Sequence, residues 1–194
     1  MSKGNRPFLD CVYCVYGSLL DFAQEDTVLI DPAGRAFKQG ENRYNGGGMS
    51  GAIYKRLGIL GRSHRIGHIP AGEAVMNRDK FDGIRALLHA VGPDGGRSGT
   101  SKKRFFELLQ TTMVAIHEAL LNGRIPKRCP IGLPLISALS YAHPDVDFFE
   151  YMMFYLQAID LVFAESGYKI HLQLYSAEEQ QTYAAAMAVM QQRQ

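Results

Sequence analysis

The sequence predicts a three-layer α/β domain built on a mixed, largely parallel central sheet, and three observations carry that prediction. Short apolar runs of strand length alternate along the chain with segments whose apolar residues recur at helical spacing. Thr27-Val-Leu-Ile30 is a continuous apolar run, the mark of a strand buried on both faces. A glycine run, Asn45-Gly-Gly-Gly48, feeds straight into a segment with Ala52, Ile53 and Leu57 at helix-like spacing. Three consecutive glycines cost backbone entropy, so a folded chain keeps them where side chains would obstruct something. Such a run before a helix N-terminus reads either as a surface turn or as a place where backbone N–H groups receive a phosphate.

Taken in order, Leu9 to Tyr16 reads as a strand ended by Gly17-Ser18, with a helical turn suggested by Leu19, Leu20 and Phe22. The strand at 27–30 stops at the turn Asp31-Pro-Ala-Gly34. A polar stretch then runs to Tyr44, and a helix is expected over residues 50 to 60. Gly72 to Met76 reads as a short strand and Arg85 to Val91 as a buried one, closed by Gly92-Pro93. Ser101 caps a helix that reaches about Asn122, its stripe set by Phe105, Leu109, Met113, Ile116 and Leu120. Ile131 to Ile136 is strand-like, and a helix starts near Asp145 or Asp147. Ile170 to Tyr175 alternates as a strand, and Ser176 caps a last helix.

A chain of 194 residues with 46% hydrophobic and 21% charged residues is globular in composition. Its formal net charge of +2 gives no bulk electrostatic case for nucleic acid. No apolar run approaches the roughly 18–20 residues needed to span a bilayer. The N-terminal residues lack the apolar core of a signal peptide, so a cytoplasmic location and no membrane partner are expected. Cys11 and Cys14 have CxxC spacing but fall in a strand-like run, where i and i+3 face opposite ways; with Cys129 they read as small core residues. His64 and His68 lack an evident third ligand, so no metal site and no cofactor are expected. His89, inside a buried strand, reads as a satisfied core histidine.

Five segments in order resemble those of one known family of α/β folds. Asn45-Gly-Gly-Gly-Met-Ser-Gly-Ala-Ile53 resembles its glycine-rich first loop, and Pro70-Ala-Gly-Glu-Ala74 its Pro-Thr-Gly-Glu-Ala segment. Leu88-His-Ala-Val-Gly-Pro93 is similar to its Ile-His-Thr-Val-Gly-Pro strand end. Leu133-Pro-Leu-Ile-Ser-Ala-Leu-Ser-Tyr-Ala142 is similar to its second phosphate loop, and the final strand, Ser176 and helix follow in the same order. In these five segments the chain resembles the macrodomain family of ADP-ribose-binding folds, which implies one macrodomain over residues 1–194, with its core at about 9–190. The resemblance also implies a diphosphate held by Asn45, Gly46, Gly47, Gly48 and Met49 on one side. Ser137, Ala138, Leu139, Ser140 and Tyr141 would hold it on the other.

The departures bear on chemistry. The family's Gly-Asp-Ile, whose Asp meets the adenine amino group, is Gly17-Ser18-Leu19 here, which implies Ser18 and Leu19 as ligand-binding positions; Ser18 keeps an acceptor without charge. Tyr175 falls where the family places an aromatic near the base, a position equally compatible with ordinary packing. The Asn that orients the distal ribose in hydrolytic members falls on Gly34. Asp31 and Glu41 are the carboxylates nearest that loop, to be read as a general base or as solvated loop residues. The resemblance therefore implies a binder of ADP-ribose or ADP-ribosylated protein. Its rivals are a hydrolase acting on ADP-ribosylated protein or ADP-ribose 1″-phosphate through a loop carboxylate, and a diverged fold serving another nucleotide or a protein partner.

Overall fold

A computed structural model describes residues 9–34, 37, 39–96, 100–138 and 140–192. The strands are β1 (Val12–Tyr16), β2 (Val28–Asp31), β3 (Glu73–Met76), β4 (Ala86–Val91), β5 (Pro130–Leu133) and β6 (Lys169–Leu174). The helices are α1 (Leu19–Phe22), α2 (Gly48–Arg56), α3 (Lys102–Asn122), α4 (Phe148–Phe163) and α5 (Ala177–Gln191). One six-stranded sheet runs in the order β1-β6-β5-β2-β4-β3, parallel throughout except for β3, which pairs antiparallel with β4.

The alternation along each strand sends side chains into two separate cores. Val28 and Ile30, Leu88 and Ala90, Ile131 and Leu133, and Ile170, Leu172 and Leu174 face the layer of α3, α4 and α5. Leu29, Leu87 and Val91 face the other layer, where Leu19, Phe37, Tyr44, Ile53, Tyr54 and Ile69 close over them. This is the three-layer α/β/α arrangement with a mixed sheet.

Side chains fix the helix starts. Ser101, Asp147 and Ser176 accept the backbone N–H of Arg104, Glu150 and Glu179, and Glu179 returns a bond to Ser176 as a capping box. Three expected boundaries shift for local reasons. The strand expected from Leu9 begins at Val12, since Leu9 turns the chain at φ +58°. The helix expected over 50–60 begins earlier, at Gly48, and ends at Arg56, because Gly58 turns the chain out at φ +64°. The strand expected to reach Ile136 stops at Leu133, since Pro134 has no N–H for the ladder. Tyr44, expected within a polar stretch, is buried in the second core.

No helix among the described residues is long and apolar enough to cross a membrane. Burial holds His64, His117 and His171 below their usual value of 6.5, helped by His89, Lys127 and Lys169 respectively. The folded state thus binds these protons less readily than the unfolded chain. Stability is full above about pH 6.5 and drains as the pH falls below it toward the lowered values. Thermal melts should show a flat Tm above pH 7 and a declining one from 6.5 to 5. A Tm that rises over that interval contradicts this account.

Candidate functional site

A cleft of about 920 Å³ opens over the C-terminal ends of the strands, on the side of α1 and α2. Its first wall is the glycine run. Gly47 is the N-cap of α2 with extended backbone, φ −105° and ψ −172°, and no side chain satisfies the helix's first N–H groups. The glycines there serve different needs. A Cβ on Gly51 would lie 2.5 Å from the Gly46 carbonyl oxygen, so Gly51 is needed for close approach. A Cβ on Gly47 or Gly48 would meet nothing; Gly47 leaves the cleft open, and Gly48 is needed for its backbone at φ +53°.

The opposite wall is the second loop. Ser137 is held at φ +63°, its hydroxyl donating to the Pro93 carbonyl at 2.6 Å. Gly95 donates its N–H to the Tyr141 carbonyl at 3.0 Å. Two buried tyrosines of α4 fix the chain just before the loop. Tyr151 donates to the Ile136 carbonyl and Tyr155 to the Pro134 carbonyl, both at 2.6 Å. Burial raises both phenols far above their usual range, so both remain donors.

The cleft gathers Ser18, Gly34, Glu41, Asn45, Gly46, Gly47, Gly48, Met49, Ser137, Ala138, Ser140, Tyr141 and Tyr175 into one lining. Leu139 lies outside the described residues. Two expected site residues fall elsewhere. Leu19 is wholly buried, because the short helix α1 turns it into the core against the space that Gly132 leaves, and Leu20 lines the cleft instead. Asp31 also has no exposed surface and does not line the cleft.

The burial of Asp31 has a specific cause. Asp31 and His89 are register partners on β2 and β4, so both point to the same face. His89 Nδ1 lies 2.7 Å from Asp31 Oδ2, and the Tyr54 hydroxyl of α2 donates to the same oxygen. Asn77 turns its Nδ2 toward His89 Nε2 at 3.2 Å and toward the Tyr44 hydroxyl at 2.6 Å. Nε2 is therefore an acceptor, and Nδ1 carries the proton donated to Asp31. Burial, then the charge of Asp31, pushes the Tyr54 phenol far up, keeping it a donor. Asp31 is thus a strut beneath the glycine run, with no access to a water in the cleft. As a general base it is corrected; Glu41 is the loop carboxylate that reaches the cleft.

The fit between Gly34 and Tyr141 was also invisible in sequence: a Cβ on Gly34 would sit 3.0 Å from the Tyr141 hydroxyl. Gln173 and Glu179 line the cleft as well, and the sequence offered only strand alternation and a capping box to mark them. Among the described residues no cluster of three His, Cys, Asp or Glu is arranged to hold a metal ion.

No protein-family model and no curated protein matches the sequence. Solved structures do match. A macrodomain of Oceanobacillus iheyensis with ADP is 20% identical, with TM-score 0.69, over 97% of this chain and 96% of that one. A macrodomain of Trypanosoma brucei in complex with ADP-ribose is 19% identical, with TM-score 0.67, over 95% of this chain and 72% of that one. An alphavirus chain, P23pro-zbd, is 21% identical with TM-score 0.66 over 92% of this chain, which spans only 24% of the viral one. The two macrodomains match over nearly the whole of this chain, and its six-stranded mixed sheet between two helical layers is the macrodomain fold.

Proposed function

We propose that the protein binds ADP-ribose, free or attached to a protein, within a single folded unit spanning about residues 9–190. The observation that carries this is the open N-terminus of α2 facing the second loop across a cleft. A diphosphate is the ligand that such unsatisfied N–H groups and the helix dipole favour. Gly46, Gly47 and Gly48 would hold it on one side and Ser137 to Tyr141 on the other. The base would lie toward Tyr175 and the distal ribose toward Gly34 and Tyr141. Two macrodomains of the same fold were solved with ADP or ADP-ribose, which supports the reading.

Calorimetry with ADP-ribose, ADP and AMP tests it. Saturation at a hundred times Kd stabilises the fold by about 2.7 kcal/mol, a Tm rise of roughly 5–10 °C for a chain of this size. Absence of both heat and Tm shift with all three ligands would overturn the assignment.

Hydrolysis of an ADP-ribosyl linkage is the second reading, favoured by Glu41 at the cleft. Gly34 brings no amide to the sugar, so turnover should be slow beside binding, and Glu41→Ala should remove what there is. Introducing Asn at Gly34 must first displace the Tyr141 hydroxyl. The informative comparison is therefore Gly34→Asn with Tyr141→Ala against Tyr141→Ala alone. A several-fold gain in release of ADP-ribose from modified protein is expected, and equal rates would show that the amide is not what limits the reaction.

A further inference from the structure

The first wall of the cleft continues outward into cations that have no counter-charge. Residues 41–66 carry five Lys and Arg against one carboxylate, Glu41, in a chain whose net charge is only +2. The five, Arg43, Lys55, Arg56, Arg62 and Arg65, are all exposed, and none forms an ion pair among the described residues. Two chain segments bring them to the cleft. Arg43 stands between Glu41 and Asn45, which both line it, and pairs across an antiparallel bridge with Ser63, beside Arg62. On α2, Gly48, Met49 and Ala52 line the cleft, and Lys55 and Arg56 follow Ala52 by three and four positions on the same helix face. Lys55 and Arg56 also complement the negative C-terminal end of α2. That reason does not extend to Arg43 and Arg62, which belong to no helix. A single-sign field beside a cleft selects the charge of what approaches it.

The occupant follows from the proposed ligand and from the chemistry of the surface. With the distal ribose toward Gly34 and Tyr141, a protein attached to that sugar would leave the cleft past Glu41 and meet Arg43 and Arg62. Guanidinium groups pair bidentately with carboxylates and phosphates alike. Single-stranded nucleic acid also calls for exposed aromatic faces between its phosphate contacts. The rings of this segment, Tyr44, Tyr54 and His64, are buried in the core instead. Among the cations stands Leu60, 50% exposed, an aliphatic contact suited to polypeptide.

We infer that Arg43, Arg62 and the Lys55-Arg56 end of α2 form a docking surface for the protein that carries the ADP-ribose, and that this surface selects modified sites flanked by Asp and Glu. The inference rests on the proposed binding of ADP-ribose and adds to it the class of protein partner.

The test compares affinities for free ADP-ribose and for two peptides that bear ADP-ribose through a non-hydrolysable linkage, one with Glu at the flanking positions and one with Gln in their place. Several exposed ion pairs at low ionic strength correspond to a preference of about tenfold for the Glu peptide. The preference should fall toward unity at about 1 M salt, where charges are screened within about 3 Å. Arg43→Glu combined with Arg62→Glu cancels the positive charge of the segment through exposed side chains, so the fold should be kept and the preference lost. Free ADP-ribose is the internal reference, and its affinity should fall far less than that of the Glu peptide. Equal affinity of the wild type for the two peptides would overturn the inference while leaving ADP-ribose binding intact. A preference unchanged in the double variant would place the recognition elsewhere and overturn it also. So would an oligouridylate that binds more tightly than the unmodified Glu peptide and loses its affinity in the double variant, which would assign the surface to nucleic acid. Failure of the wild type to bind free ADP-ribose and both modified peptides would bring down the functional reading and this inference with it.

Discussion

Gly47→Val is expected to lower ADP-ribose affinity about a hundredfold or more while the unliganded protein keeps its fold. Gly47 already has extended backbone, which a β-branched residue adopts without strain, and its added Cβ meets no atom within 4 Å. The new side chain enters the cleft in front of the N–H groups at the start of α2. Each charge-assisted bond lost there is worth about 1.5–3 kcal/mol. Valine is a poorer N-cap than glycine, a cost held to about 1 kcal/mol and a few degrees of Tm. Calorimetry of the variant, beside its melting curve and circular dichroism, separates the two effects. Unchanged affinity in a folded Gly47→Val protein would remove the glycine run from the site.

Asp31→Ala should act in the opposite way, on stability first. The substitution leaves the His89 Nδ1–H and the Tyr54 hydroxyl without their acceptor in a region with no exposed surface, and opens a cavity beside them. Each buried donor left unsatisfied costs about 1–3 kcal/mol, and with two of them Tm should fall by roughly 10 °C. Asp31→Asn, which keeps an oxygen for Tyr54, should fall less. A carboxylate serving as a base at the cleft would give the reverse pattern, with Tm untouched and activity lost. Thermal melts of the two variants decide between a strut and a base.

The contrast between these residues marks where the sequence was legible. Strands and helices were readable because apolar periodicity follows from which faces are buried, and Ser101, Asp147 and Ser176 announce helix starts through local chemistry. The open wall of the cleft was legible as well, since the glycine run and the helix it feeds are adjacent in the chain. Asp31 was not. In Asp31-Pro-Ala-Gly34 it has the look of a solvated turn residue, and its partners stand 23 and 58 positions away. Only the pairing of β2 with β4 brings Asp31 opposite His89. Gln173 was hidden for a related reason. Between Leu172 and Leu174 it has the alternation of a residue facing water, and periodicity does not say that this water fills a cleft. The position of Leu19 came from resemblance alone, and one short helical turn rotated it inward.

Tyr151 and Tyr155 reach past the C-terminal end of β5 from α4, a helix that packs in the layer opposite the cleft, to grip the carbonyls on which the second loop begins. Opening of α4 should therefore release that wall, so that the two open as one cooperative unit. A ligand that touches only the loop should slow amide hydrogen exchange along α4, on the far side of the molecule from where it sits.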